Sequence, residues 1–240
     1  MKTSTVPKIK AGTRGKPEET REAILKAALK EFAQEGLAGA RTDAIAHAAG
    51  VNKALLYYYF GDKETLYGAV LDTVFSGLSQ AVIAALDAET EPPAKILAWV
   101  GAHFDYLAAS PVAPRLVQRE LMRVGRSGSP HMRRLAERYL RPVFAKLVEA
   151  LRAGMATGEF RRVDPVHFIL SAVAMIVFYF GSTPMIEIMT HANPLAPERI
   201  AERRFAVIDM VAAALFVKAA DQQPGGAPSI APISSEKRRK

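Results

Sequence analysis

The sequence has no cysteine among its 240 residues and only one tryptophan. The missing thiols exclude a disulfide framework, a thiolate metal site and a cysteine nucleophile, and they fit a reducing compartment. Motifs of the common helical enzymes are also missing. There is no Gly-x-x-x-x-Gly-Lys phosphate loop, no His-Glu-x-x-His and no Glu-x-x-His of the di-iron kind, so neither a metal nor a cofactor is expected. Glu187 and His191 have metal-compatible i,i+4 spacing, but two potential ligands beside a Pro-containing loop read as incidental. Met1 to Gly15 lack the apolar core of a secretory signal, and a cytoplasmic protein is expected.

Acidic residues are absent from the first 16 positions, where Lys2, Lys8, Lys10, Arg14 and Lys16 give a charge of +5. The final stretch, 222 to 240, adds +3 from Lys237, Arg238, Arg239 and Lys240 against Glu236. These two tails account for the whole formal net charge of +8, so residues 17 to 221 are neutral overall. Both tails are expected to be disordered, and the first has the character of an arm that neutralises phosphate beside a nucleic-acid reader.

Strand signals are nearly absent, and half of the residues are hydrophobic, enough to bury one sizeable core or two modest ones. Pro17 followed by Glu18 and Glu19 opens a helix whose Ile24, Leu25, Ala28, Leu29 and Phe32 share a face, and Gly36 is expected to close it. A short pair follows, 42 to 48 and 52 to about 59. Asp62 caps a longer helix from 63 to about 86, and Pro92-Pro93 start another that ends before Ser110-Pro111. Further helices are predicted at about 112 to 124, 130 to 157 with a kink at Pro142, 165 to 181, and 197 to 220. Gly125 to Pro130, Gly158 to Asp164 and Pro184 to Pro197 read as separators. The uncharged run Val166 to Ile186 is shortened by His167, Ser171 and the Gly181-Ser182-Thr183-Pro184 break. It suits a buried helix better than a membrane span, and no membrane partner is expected.

The short pair carries the sharpest signal. Ala46 is small where two helices must approach, Gly50 supplies a left-handed turn residue, Val51 plugs the angle and Asn52 caps the second helix. At about 100° per residue, Leu56 and Phe60 fall on one side, while Lys53, Ala54, Tyr57 and Tyr58 fall on the other. A lysine, a small residue and two tyrosines facing solvent are poorly explained by stability and well explained by a DNA major groove.

Thr20 to Leu71 resembles the DNA-binding domain of the TetR family of bacterial transcriptional regulators. The likeness is carried by Ile45-Ala46, Ala49-Gly50-Val51-Asn52-Lys53 and Leu56-Tyr57-Tyr58-Tyr59-Phe60-Gly61-Asp62-Lys63-Glu64-Thr65-Leu66. The resemblance implies an all-α protein with a three-helix helix-turn-helix head, 17–63, and a helical effector-binding and dimerisation body, 64–221. It further implies a homodimer on a pseudo-palindromic operator in double-stranded DNA, acting as a repressor that a small molecule releases.

Position by position, the resemblance assigns Lys53, Ala54 and Leu55 to base and phosphate contacts. Tyr57 and Tyr58 go to phosphates and thymine methyls, and Thr42 and Lys63 to the DNA backbone. Leu55 stands where most members carry a polar residue, which implies apolar base contact. Arg41 replaces a common Thr or Ser and is a phosphate ligand in this reading, leaving Thr42 as the cap of its helix, while Asn52 replaces the commoner Ser cap.

In the body, Phe168 to Phe180 and the row Phe205, Ile208, Val211, Ala212, Leu215 and Phe216 are too apolar to bury only each other. Helices 165–181 and 197–220 are therefore the expected dimer surface. Trp99, Phe104, Leu107, Met122, Met175 and Tyr179 lie on helices that line the family's pocket and would suit an apolar or aromatic effector. His103, His167 and Arg119 are its candidate polar anchors. The alternative is an all-helical small-molecule carrier or enzyme without DNA function, which would need the pocket but not the face from Lys53 to Tyr58.

Overall fold

The computed structural model describes residues 16–123 and 130–217, without the side chains of 121–123 and 130. Most of the N-terminal arm, the Gly125 to Ser129 stretch and the C-terminal tail lie outside the described residues. The all-α expectation is met. Helices α1 (Pro17–Gly39), α2 (Thr42–Ala48) and α3 (Lys53–Phe60) form the head, and the long α4 (Lys63–Asp87) leads out of it. The body adds α5 (Pro92–Ala109), α6 (Ala113–Arg123), α7 (Pro130–Leu135), a π-helical turn (Ala136–Leu140), α8 (Arg141–Ala156), α9 (Pro165–Gly181), α10 (Thr183–Thr190) and α11 (Pro197–Leu215).

Two apolar cores organise these helices. The first joins Ile24, Phe32, Ile45, Leu56 and Phe60 of the head to Leu66 and Leu71 of α4, with Leu116 and Leu135 from the body. The second contains Val82 and Leu86 from the far end of α4, with Trp99, Phe104, Leu151, Ile176, Phe180 and Val211. Each fully buried aliphatic or aromatic side chain here contributes about 1.5–3 kcal/mol relative to exposure. Because α4 is part of both cores, head and body share one rigid strut. That strut is long and apolar enough by length and composition to cross a bilayer. The run from 165 to 190 meets the same length and composition test only as a bent pair, α9 and α10 meeting at 71°.

Four local features differ from the sequence reading. Gly36, at φ 70°, breaks α1 as its left-handed conformation requires, but a last turn resumes and carries the helix to Gly39. Just before Pro142 the helix takes a π-helical turn that the sequence reading did not foresee, where the Arg141 N–H donates to the Ala136 carbonyl. Leu140 and Arg141 keep right-handed helical angles, so Pro142 lies inside a continuous helical stretch, directly after that turn.

The separator at 184–197 is helical over Thr183–Thr190, because Pro184 occupies a first turn, and His191 ends that helix at φ 52°. Finally, α11 stops at Leu215, not near 220. There the chain turns extended, the Arg161 N–H donates to the Leu215 carbonyl at 2.9 Å, and the Phe160 and Phe216 rings stack 5.5 Å apart.

Candidate nucleic-acid interface and ligand-binding region

The α2–α3 unit is built by its turn. Gly50 adopts φ 70°, the Val51 N–H reaches back to the Ala46 carbonyl at 3.0 Å, and Asn52 Oδ1 accepts from the Leu55 N–H at 2.7 Å. Ile45, Ala46, Leu56 and Phe60 are buried against α1 and α4, which fixes the rotation of α3. The opposite side of α3 is open: Lys53 and Ala54 are exposed, Tyr58 is 81% exposed and Tyr57 37%. Leu55 is half-buried at the edge of this face.

Polar contacts hold several of these side chains before any DNA arrives. Lys53 Nζ lies 3.0 Å from Asp43 Oδ1 on α2, and that hydrogen bond and charge raise the lysine pKa. The Tyr57 hydroxyl is 3.2 Å from Thr42 Oγ1. Thr42 is therefore not the cap expected of it. It is the first residue of α2 and buried, and Arg41 occupies the cap position without a side-chain cap bond. The Arg41 backbone N–H donates to Glu31 Oε1 at 3.0 Å. Lys63 Nζ donates to the carbonyls of Ala38 and Ala40, at 3.3 and 3.1 Å, and so closes the broken end of α1. Asp62 caps α4 through the Thr65 N–H, which holds its carboxyl below the usual range.

The residues picked for an effector fall into separate places. Trp99, Phe104 and Leu107 are packed in the body core, with Phe104 and Phe180 at 5.1 Å between ring centres. His103 beside them is 7% exposed, and burial pushes its imidazole down to about 4, so it is neutral at physiological pH. No hydrogen bond to its ring is present among the described residues.

Met175 and Tyr179 are half-buried on α9. The Tyr179 hydroxyl donates to the Pro194 carbonyl at 2.6 Å, burial raises its pKa, and the Arg203 guanidinium sits 5.4 Å from its ring centre. His167 is exposed in the first turn of α9, where its N–H is capped by Asp164. Arg119 faces α1, donating to the Gln34 carbonyl at 2.7 Å. The side chain of Met122 lies outside the described residues.

The family model described as bacterial regulatory proteins of the tetR family matches residues 24–70, and the model for a tetracyclin repressor-like C-terminal domain matches residues 92–211. This chain belongs to the TetR family. Among its TetR-family relatives is the HTH-type transcriptional repressor SCO4008 of Streptomyces coelicolor, 37% identical over 66% of this chain and 78% of that one. The HTH-type transcriptional repressor NicS of Pseudomonas putida is 31% identical over 72% and 81%. The solved structure of the S. coelicolor transcriptional regulator SCO4942 superposes with a TM-score of 0.61 at 28% identity, covering 82% of this chain and 98% of that chain. The TetR-family chain is accordingly a ligand-responsive, DNA-binding transcriptional regulator.

Two contributors had no sequence signal. Asp43 is ten residues from Lys53, a spacing with no helical meaning, and only the α2–α3 angle brings them together. Arg203 links α11 to α9 by donating to the Met175 carbonyl at 2.8 Å, while its Nε is buried without a hydrogen-bond partner.

Proposed function

We propose that this regulator is a homodimeric, cytoplasmic repressor without enzymatic activity that binds a pseudo-palindromic operator and is released by a small apolar or aromatic effector. The observation that carries the DNA half is the division of α3: Leu56 and Phe60 are buried, and Lys53, Ala54, Tyr57 and Tyr58 face out together. In this reading Lys53, Ala54 and Leu55 meet bases and phosphate at the start of the helix, and Tyr57 and Tyr58 meet phosphates and thymine methyls. Arg41 binds the flanking phosphate. Thr42 and Asn52 act by orienting Tyr57 and α3, and Lys63 exchanges its carbonyl partners for phosphate. The head, 17–63, and body, 64–221, are the working units, coupled through α4.

The dimer surface is proposed on α9 and α11, extended by α10. Exposed large apolar side chains concentrate there: Leu170 and Phe178 on α9, Met185, Ile188 and Met189 on α10, Phe205 and Met210 on α11. A monomer rarely leaves so many large apolar side chains of three successive helices in water. Two-fold pairing would put the two α3 helices about 34–36 Å apart, one turn of DNA.

The effector reading is supported by His103, a buried neutral imidazole among Trp99, Phe104 and Leu107 that lacks a hydrogen bond to any described residue. An apolar ligand with one polar atom would pair with it, and Met175 and Tyr179, packed against the same core from α9, are proposed as a further contact.

Fluorescence anisotropy against the intergenic DNA flanking the gene, with shuffled DNA as control and a salt series, tests the reading. Saturable binding by pairs of chains with at least about tenfold preference is expected. Equal affinity for both DNAs would refute the proposed operator, and retained 1:1 stoichiometry would refute the dimer.

A further inference from the structure

A groove of about 840 Å³ opens where head meets body. Its walls include Ala33 and Leu37 near the break in α1, Tyr67 of α4, and Arg115, Gln118 and Arg119 of α6. Arg115 and Arg119 are spaced i,i+4 and so share one face of α6.

Two other arginines of the body are held by carboxylates. Arg134 pairs with Asp72, and Arg204 grips Asp105 with two N–H groups at 2.7 and 2.9 Å. By contrast, Arg119 donates to the neutral Gln34 carbonyl and Arg115 to Thr183 Oγ1 at 3.3 Å. Among the described residues neither forms an ion pair with a carboxylate, and Glu35, also on the wall, pairs with neither. Two guanidiniums, each with five N–H donors, thus share the lining of one groove with a single carboxylate, Glu35, that pairs with neither, next to an apolar wall.

We propose that this groove binds an organic anion, a carboxylate or phosphate monoester. Its charged end sits between Arg115 and Arg119, and its apolar body lies against Ala33 and Leu37. The site is separate from the Trp99 and His103 region. Its occupant competes with the Gln34 carbonyl for Arg119, whose guanidinium also abuts Gly36, the residue that breaks α1. The anion therefore binds at the junction through which the head is held. The inference concerns ligand binding alone and is tested without DNA, so it stands or falls apart from the operator reading.

The experiment is isothermal titration calorimetry of the full chain with octanoate, octyl phosphate and octanol. At least one of the two anions should bind saturably with one site per chain, and octanol should not. R115Q/R119Q should weaken that anion at least about tenfold, as expected for two lost charge-assisted contacts. R115K/R119K, which keeps the charge, should bind more tightly than the glutamine variant, and this ranking separates recognition from misfolding. Tighter binding of octanoate assigns a carboxylic acid, and tighter binding of octyl phosphate a phosphate ester. Absence of binding by both anions, equal binding of octanol, or unchanged affinity in R115Q/R119Q would overturn the proposal.

Discussion

Lys53 Nζ sits 3.0 Å from Asp43 Oδ1, so the one lysine of α3 is paired with an acid on the preceding helix. A phosphate approaching Lys53 must compete with that carboxylate, and the carboxylate itself repels the backbone. D43N should therefore raise DNA affinity, by about three- to tenfold at low salt, and steepen its salt dependence. Anisotropy titrations at several salt concentrations read both. A loss of affinity would mean that Asp43 aims Lys53 rather than restraining it.

The N-terminal arm supplies charge that the head lacks, since 17–63 hold six basic and seven acidic residues. Deleting residues 2–16 should lower DNA affinity and flatten the log–log salt slope by about 0.9 for each lost phosphate contact. An unchanged slope in the truncated protein would remove the arm from the interface.

Gly50 lies at φ 70°, and a methyl group there would meet nothing within 4 Å. G50A should consequently cost only the backbone strain of a left-handed alanine, about 1–2 kcal/mol, seen as a lower urea midpoint with an unchanged m-value. Gly154 is the opposite case. A methyl group there would run into the Phe160 ring, which is stacked on Phe216, so G154A should be clearly more destabilising than G50A.

His103 links stability to pH. Its folded pKa, about 4, lies below the unfolded value of 6.5, so the unfolded chain binds the extra proton between those two pH values. Stability from this group is complete above pH 6.5 and falls as the pH drops toward 4, by about 3 kcal/mol in total. H103L should remove that part of the pH dependence, measured as urea midpoints from pH 4 to 7.5. Parallel profiles for the two proteins would show that His103 is not the group responsible.

Phe205 is 72% exposed and Ile188 73%, on α11 and α10. Under the proposed pairing F205E and I188E each shift sedimentation toward the monomer, because a buried unpaired carboxylate costs several kcal/mol. A dimer left intact by I188E but dissolved by F205E would restrict the interface to α9 and α11.

Much of the head was legible in the sequence because its information is local. Helical periodicity sends Leu56 and Phe60 inward and Lys53, Tyr57 and Tyr58 outward, and Gly50 and Asn52 are dictated by a left-handed turn and a cap. The same local rules misplaced Pro184, since a proline breaks a helix interior but is welcome in a first turn, and only the finished chain shows which position it holds. Contacts between distant segments were beyond sequence: Asp43 on Lys53, Lys63 on the carbonyls of Ala38 and Ala40, and Arg119 on Gln34, 85 residues apart.

Sequence alone thus determined most of the helices, the turn and the outward face of α3, through periodicity and backbone preference. Tertiary packing decided which of the chosen side chains are buried together and which point elsewhere. It put Trp99 and His103 in the body core and Arg119 in the groove beneath the head, because the angles between helices are set by the cores around α4 and not by any one helix.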